Sequence, residues 1–341
     1  MKKERIILIV LACAMFTHIM DFIIIMPLGP QLMRLFDIKP SAFSLLVSAY
    51  AFSAFISGII SAFFIDRFDR KKSFIVIYSG FALGTLACAL APTYWFLIMA
   101  RSLTGLFGGV VGALVISIVS DLIPLERRAA GIGFVMMAFS VASVFGVPFG
   151  LYFSALYSWH FPFYFLGAMA VVVAILTYFI VPNVTGHLEK SLKDHPVDAF
   201  KRILKSRNAR MGLLFTAMLM LGHFTIIPFI APYMVGNVGF TEQELSYIYL
   251  VGGALTIFTS PWVGTLADRY GRLNIYTLFG LLVIIPVLWI TNMGPTSLGL
   301  ALFVTGIFFV FANGRMVPST TMVTSVIKPE NRGAFMGLRT S

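Results

Sequence analysis

The sequence predicts an all-helical protein that crosses a membrane about ten times and is built from two related parts. Three observations predict it. Hydrophobic residues make up 59% of the 341 and charged residues only 11%, with a mean hydropathy of +0.92. No soluble domain needs that much apolar surface. The apolar residues are gathered into runs long enough for spans of ~20 residues, and they lack the period-two alternation of strands. Finally, a short charged turn occurs twice, as Ile65 to Lys72 and again as Ala267 to Asn274, with Asp66, Arg67 and Arg70 lying 202 positions before Asp268, Arg269 and Arg272.

The apolar runs fall at 6–26, 42–65, 73–91, 95–121, 129–153 and 161–181, and then at 210–234, 243–266, 274–292 and 298–325. The stretch 328–341 reads as a loop and the start of an eleventh helix, so the chain is expected to continue for roughly two more spans of ~20 residues each. The opening MKKERIILIVLACAMF has no small-x-small cleavage site and runs on to Asp21, so it reads as an uncleaved first span. Cys13 and Cys88 lie in different spans at different depths and read as packing residues rather than a disulfide or metal site.

Charge sets the orientation. With the N-terminus in the cytosol, 21 of the 25 Lys and Arg residues fall on the inner side and only Arg34 and Lys39 on the outer side. That is a strong positive-inside bias. The net charge of +11 does not point to nucleic acid, because the basic residues sit in loops rather than along a stripe. Residues 183–209 form a basic cytosolic linker between an N-terminal part, 1–182, and a C-terminal part, 210–341. Within the linker, Pro196 can open either a short helix lying on the inner leaflet or a solvated segment. Asn183-Val184-Thr185 matches a glycosylation sequon but falls on the cytosolic side.

The repeat extends beyond the turn. The same offset carries Pro30 onto Pro232 and Gly112 onto Gly314, and the pattern E-x-R-x-A-x-x-G at Glu126, Arg128, Ala130 and Gly133 recurs at Glu330, Arg332, Ala334 and Gly337. Several matches in nearly one register imply two homologous halves.

Two six-helix halves joined by a basic loop, with such a turn after the second span of each, resemble the major facilitator superfamily. The second copy, Gly264 to Arg272, is close to that family's signature. The first departs from it, with Ala62 and Asp69 in place of glycines. The resemblance implies that Asp66 faces the N-terminus of the eleventh span and that Arg70 bridges to Asp121. With Arg67, Asp268, Arg269 and Arg272, this set is the expected cytosolic gate. Arg101-Ser-Leu-Thr-Gly105 on the fourth span resembles an element of the family's proton-linked exporters. Gly146-Val-Pro148-Phe-Gly150 on the fifth resembles a glycine-proline element of its antiporters, especially those for sugar, arabinose and nucleoside efflux. Independently of the resemblance, Gly105, Gly108, Gly109 and Gly112 form a small-residue face for close helix packing.

Few ionisable groups lie inside the spans. They are Asp21, Arg101 and Arg315, together with His18 and with His223, the repeat mate of Asp21. Each charge costs about 2.5–3.5 kcal/mol at mid-span on insertion scales, so each is a functional candidate. Asp21 lies five residues before Met26, ~7.5 Å along the helix, and Arg101 six after Trp95, ~9 Å. Their matching depths on neighbouring spans predict a pair that handles the coupling proton, with His223 the next candidate. His18 reads as a hydrogen-bonded, neutral packing residue. Tyr50, Tyr152, Phe224, Tyr249, Trp262, Asn313 and Arg315 are the candidates to line a central cavity.

The expected function is secondary active transport, as a proton-driven exporter of a small organic solute working by rocking of the halves about a midplane site. A proton-coupled importer is the alternative within this class, and an integral-membrane enzyme acting on lipid-linked substrates is the alternative outside it. No P-loop, zinc signature or nucleophile motif is present in the sequence. The expected partners are a small-molecule substrate, protons and the lipid bilayer, with no cofactor, no metal and no nucleic acid. The expected state is a monomer in a bacterial inner membrane.

Overall fold

The computed structural model describes residues 2–61, 68–185, 205–325 and 335. Asp66, Arg67, most of the linker with its candidate surface helix, and the stretch from Lys328 apart from Phe335 lie outside the described residues.

Ten of the described helices are long and apolar enough to cross a membrane: Lys3–Ile24, Pro40–Ser61, Arg70–Ala89, Tyr94–Leu122, Ala130–Leu156, His160–Ile180, Arg207–Val238, Glu242–Tyr270, Arg272–Thr291 and Leu298–Val323. These are spans 1 to 10 below. Each falls on one of the apolar runs, and no strand occurs among the described residues. The chain is therefore a multi-pass membrane protein.

Polar residues set the helix ends. Asp69 accepts hydrogen bonds from the backbone N–H groups of Lys71 and Lys72 at 2.8 and 3.4 Å, capping span 3. Thr93 caps span 4, and Thr241 with Glu244 forms a capping box on span 8. These side chains satisfy backbone donors that a helix start leaves without partners. Prolines shape the interiors. A π turn at Ala142–Gly146 precedes Pro148 in span 5, and another at Met234–Val238 follows Pro232 in span 7. Proline removes a backbone donor, and the helix absorbs the loss by locally widening.

The stretch after span 1 had been read as an outer loop, but it forms a short helix, Gly29–Phe36. Pro30 opens it, a position where the missing N–H costs nothing. Asp37, in the left-handed region at φ 50°, closes it.

Spans 1 to 6 pack on one another, with span 4 against spans 2 and 3 and span 1 against spans 5 and 6. Span 10 packs against spans 8 and 9. The two groups meet where span 8 lies along span 5 and where the short helix meets the end of span 7.

Candidate functional site

Close helix packing creates the site. Gly105 and Gly109 are one turn apart on span 4 and both face span 2. A Cβ at Gly105 would run into the Tyr50 carbonyl and reach within 2.9 Å of the Tyr50 Cα, and one at Gly109 would lie 2.6 Å from the Ala54 Cα. Gly108 makes room for the Tyr50 ring itself. Gly146 and Gly150, also one turn apart on span 5, make room for the side chains of Met20 and Ile24 of span 1. Pro148 is buried between them. Gly105→Ala is therefore expected to destabilise the protein by about 1–3 kcal/mol, the usual cost of overpacking. Gly133→Ala, at a position with nothing within 4 Å, is the control. Equal thermal unfolding midpoints for the two variants in detergent would refute this reading of the packing.

The approach of these spans brings Asp21 and Arg101 together. Arg101 Nη1 lies 2.8 Å from Asp21 Oδ2 and 3.1 Å from the Asp21 carbonyl, and both side chains have 0% exposure. Thr85 of span 3 donates to Asp21 Oδ1 at 3.1 Å. The Arg101 guanidinium lies over the Tyr50 ring, 4.5 Å from its centroid. A desolvated contact of that kind contributes about 2 kcal/mol or more. Arg101 Nε and Nη2 are buried with no hydrogen-bond partner among the described residues. Tyr50 Oη shares a 3.2 Å hydrogen bond with His18 Nδ1. Beyond Tyr50, Phe22 of span 1 lies 5.2 Å away between ring centroids, and Phe224 of span 7 lies 5.8 Å from Phe22.

One member of this cluster carried no clear signal in the sequence: Thr85 is one hydroxyl in an apolar run. His18, expected to be a hydrogen-bonded packing residue, bonds the Tyr50 hydroxyl.

The other candidates divide. Asn313 donates to Ser260 Oγ at 2.6 Å. Arg315 is half-buried, and its Nε has no hydrogen-bond partner among the described residues. His223, also half-buried, lies within electrostatic reach of Arg315, and its buried Nδ1 has no hydrogen-bond partner among the described residues. Tyr249 is buried against Phe309. Tyr152 and Trp262 are exposed. An open cleft of about 580 Å³ lies elsewhere, lined by Phe36, Leu90, Tyr157, Trp159, His160 and Tyr164 among others. It contains none of the expected cavity residues.

Of the expected gate residues, Arg70 Nε lies 2.7 Å from Asp121 Oδ2. Asp69, the departure from the family signature, ties its turn to the chain after span 6, because its carboxylate also accepts from the Val184 N–H at 3.4 Å. In the second copy, Gly271 takes φ 93°, a conformation that favours glycine. Asp268 and Arg272 there face each other at 4.0 Å, largely exposed, and Arg269 lies over its neighbour Tyr270. The position matching Asp121 at the 202-residue offset is Val323, so this copy has no carboxylate at that place.

At the opposite end, Gln31 and Arg34 of the short helix both bond to the carboxylate of Glu242 at the start of span 8. Among the described residues, these are the side-chain hydrogen bonds joining spans 1 to 6 to spans 7 to 10.

Comparison with known proteins agrees with this architecture. The Major Facilitator Superfamily pattern matches residues 11–341. The chain is 26% identical over 293 residues to an uncharacterized MFS-type transporter, YwfA, of Bacillus subtilis, covering 84% of this chain and 70% of that protein. It is 23% identical over 284 residues to a "Probable sugar efflux transporter" of Helicobacter pylori, covering 78% of this chain and 71% of that one. The crystal structure of a bacterial homolog of the human lysosomal transporter Spinster, inward-facing and unoccupied, superposes with a TM-score of 0.81 at 17% identity, over 99% of this chain and 79% of that one. A buried ion pair, glycine-mediated packing of span 4 and a recurring charged turn thus sit in a shared fold and a shared sequence pattern, and the chain belongs to the Major Facilitator Superfamily of membrane transporters.

Proposed function

We propose that this transporter is a proton-driven exporter of a small organic solute, such as a sugar, a drug or a nucleoside. The observation that carries the reading is the fully buried Asp21–Arg101 pair, 2.8 Å apart on spans 1 and 4. Two charges inside a membrane are costly to bury, and such residues mark a functional site by default. A carboxylate whose only ionic partner among the described residues is one guanidinium can take a proton when the pair separates and release it when the pair forms. Export is supported by the sugar efflux name of the Helicobacter pylori relative.

In this reading residues 1–182 and 210–341 form two halves that rock about a midplane site. Arg315 and Phe224 of the second half face the solute, and His223 is the reserve group for proton coupling. Arg70 and Asp121, with Asp66, Arg67, Asp268, Arg269 and Arg272, form the cytosolic gate. The bonds from Gln31 and Arg34 to Glu242 hold the outer face shut. The protein acts as a monomer in the bacterial inner membrane with its N-terminus in the cytosol.

The test is a panel of labelled sugars, nucleosides and cationic drugs in proteoliposomes with an imposed pH gradient. Accumulation of one class that collapses with the gradient supports the reading, and movement that ignores the gradient overturns it. Orientation is tested separately. Single cysteines at Lys193 and Thr93 should label from opposite faces of the membrane, and labelling of both from outside would defeat the assignment.

A further inference from the structure

We infer that Tyr50, Phe22 and Phe224 form a mechanical relay that tells the buried ion pair where the second half stands. The inference rests on the proton-coupling reading of Asp21, and its test separates the two. Asp21 and Arg101 both have 0% exposure, so neither touches the space between the halves. Something else must convey movement to them if their separation is to follow rocking. One continuous chain of contacts does so. Phe224 of span 7 meets Phe22 of span 1 edge-on at 5.8 Å, Phe22 meets Tyr50 of span 2 at 5.2 Å, and Tyr50 lies under the Arg101 guanidinium at 4.5 Å. Arg101 then holds Asp21. Phe22 and Phe224 are half-buried, while Tyr50 is 2% exposed. The moving surfaces are therefore at one end of the chain and the sealed charges at the other.

The surroundings make the chain stiff. Gly105 and Gly108 press span 4 onto Tyr50 so closely that a Cβ at either would collide with it. The Tyr50 hydroxyl is held by His18 Nδ1 at 3.2 Å. A ring fixed on these sides transmits displacement from Phe22 to the guanidinium rather than absorbing it by changing rotamer. When Phe224 withdraws with span 7, Phe22 loses its support, Tyr50 relaxes toward the gap and Arg101 loses the ring face that positions it. Asp21 then gains a proton from water and Arg101 keeps its charge. On return the pair re-forms and the proton leaves. The charged or titratable groups around Asp21 are Arg101, Tyr50, Cys88 and, through Tyr50, His18.

The experiment needs no substrate. Cysteines replacing Gln31 and Glu242 are bridged by a short bis-maleimide in the full chain, after Cys13 and Cys88 are replaced by alanine. This holds the halves together at the end where those side chains meet. The protonated carboxyl of Asp21 is followed by infrared difference spectroscopy against pH and assigned by its loss in Asp21→Asn. Bridging is expected to displace the titration by about one pH unit, a tenfold change in proton affinity. Tyr50→Phe, which keeps the ring, should retain the displacement. Tyr50→Leu, Phe22→Leu and Phe224→Leu should lose it. An Asp21 carboxyl that titrates and responds equally to bridging in the parent and all three leucine variants overturns the relay alone. The absence of any titrating Asp21 carboxyl overturns the proton-coupling reading, and the relay with it.

Discussion

Asp21→Asn is expected to abolish accumulation of solute against a pH gradient in reconstituted vesicles. Two effects compete at this carboxyl. Full burial disfavours the charged form, and the Arg101 contact at 2.8 Å with the Thr85 hydrogen bond at 3.1 Å favours it. They oppose each other, so in the proposed mechanism movement of Arg101 shifts the balance between them. Asparagine keeps the shape; its oxygen can accept from Arg101 while its NH2 donates to the Thr85 hydroxyl, so the packing survives while the titration is removed. With one proton per solute, a gradient of one pH unit sustains about tenfold accumulation, or 1.4 kcal/mol. The variant should fall to equilibration, with residual solute exchange giving the measure of folded protein. Full gradient-driven accumulation by Asp21→Asn would remove Asp21 from the mechanism and leave His223 as the next group to test.

Arg101→Ala should be the most destabilising single substitution in the first six spans. It leaves the Asp21 carboxylate buried without its counter-charge and removes the face that covers Tyr50. Removing one partner of a buried pair costs about 3–5 kcal/mol. The double variant Asp21→Asn with Arg101→Ala should recover the part of that loss due to the stranded charge, because no buried charge remains. The cycle is read from thermal unfolding in detergent, with the two single variants measured beside it. If the double variant is no more stable than Arg101→Ala alone, the cost comes from lost volume rather than from the stranded charge.

These two residues were legible in the sequence because depth is readable from it. Counting residues from the ends of apolar runs placed Asp21 and Arg101 at one level, and a helix rises by a constant amount per residue. Thr85 was not legible. A threonine in a span commonly bonds its own helix, as Thr104 does to the Ala100 carbonyl, and only the rotation of span 3 turned Thr85 toward Asp21. The bonds to Glu242 were hidden for a related reason. Gln31 and Arg34 lie between two apolar runs, and the short helix that carries them, with Pro30 in its first turn, packs beside the end of span 7. The Arg70–Asp121 contact was expected from family resemblance, not from spacing.

Composition and run length alone determined the membrane, the ten spans and their order, because a hydrocarbon core admits backbone only as helices of sufficient apolar length. Internal repetition added the relation between the two parts. Tertiary structure alone decided which faces of those helices meet. Apolar periodicity is nearly featureless in a span surrounded by lipid on one side and protein on the other, so it does not report rotation. Rotation is decided where glycine lets backbones touch, as Gly105 and Gly109 do against span 2. That contact lays Tyr50 under Arg101 and closes the network around Asp21.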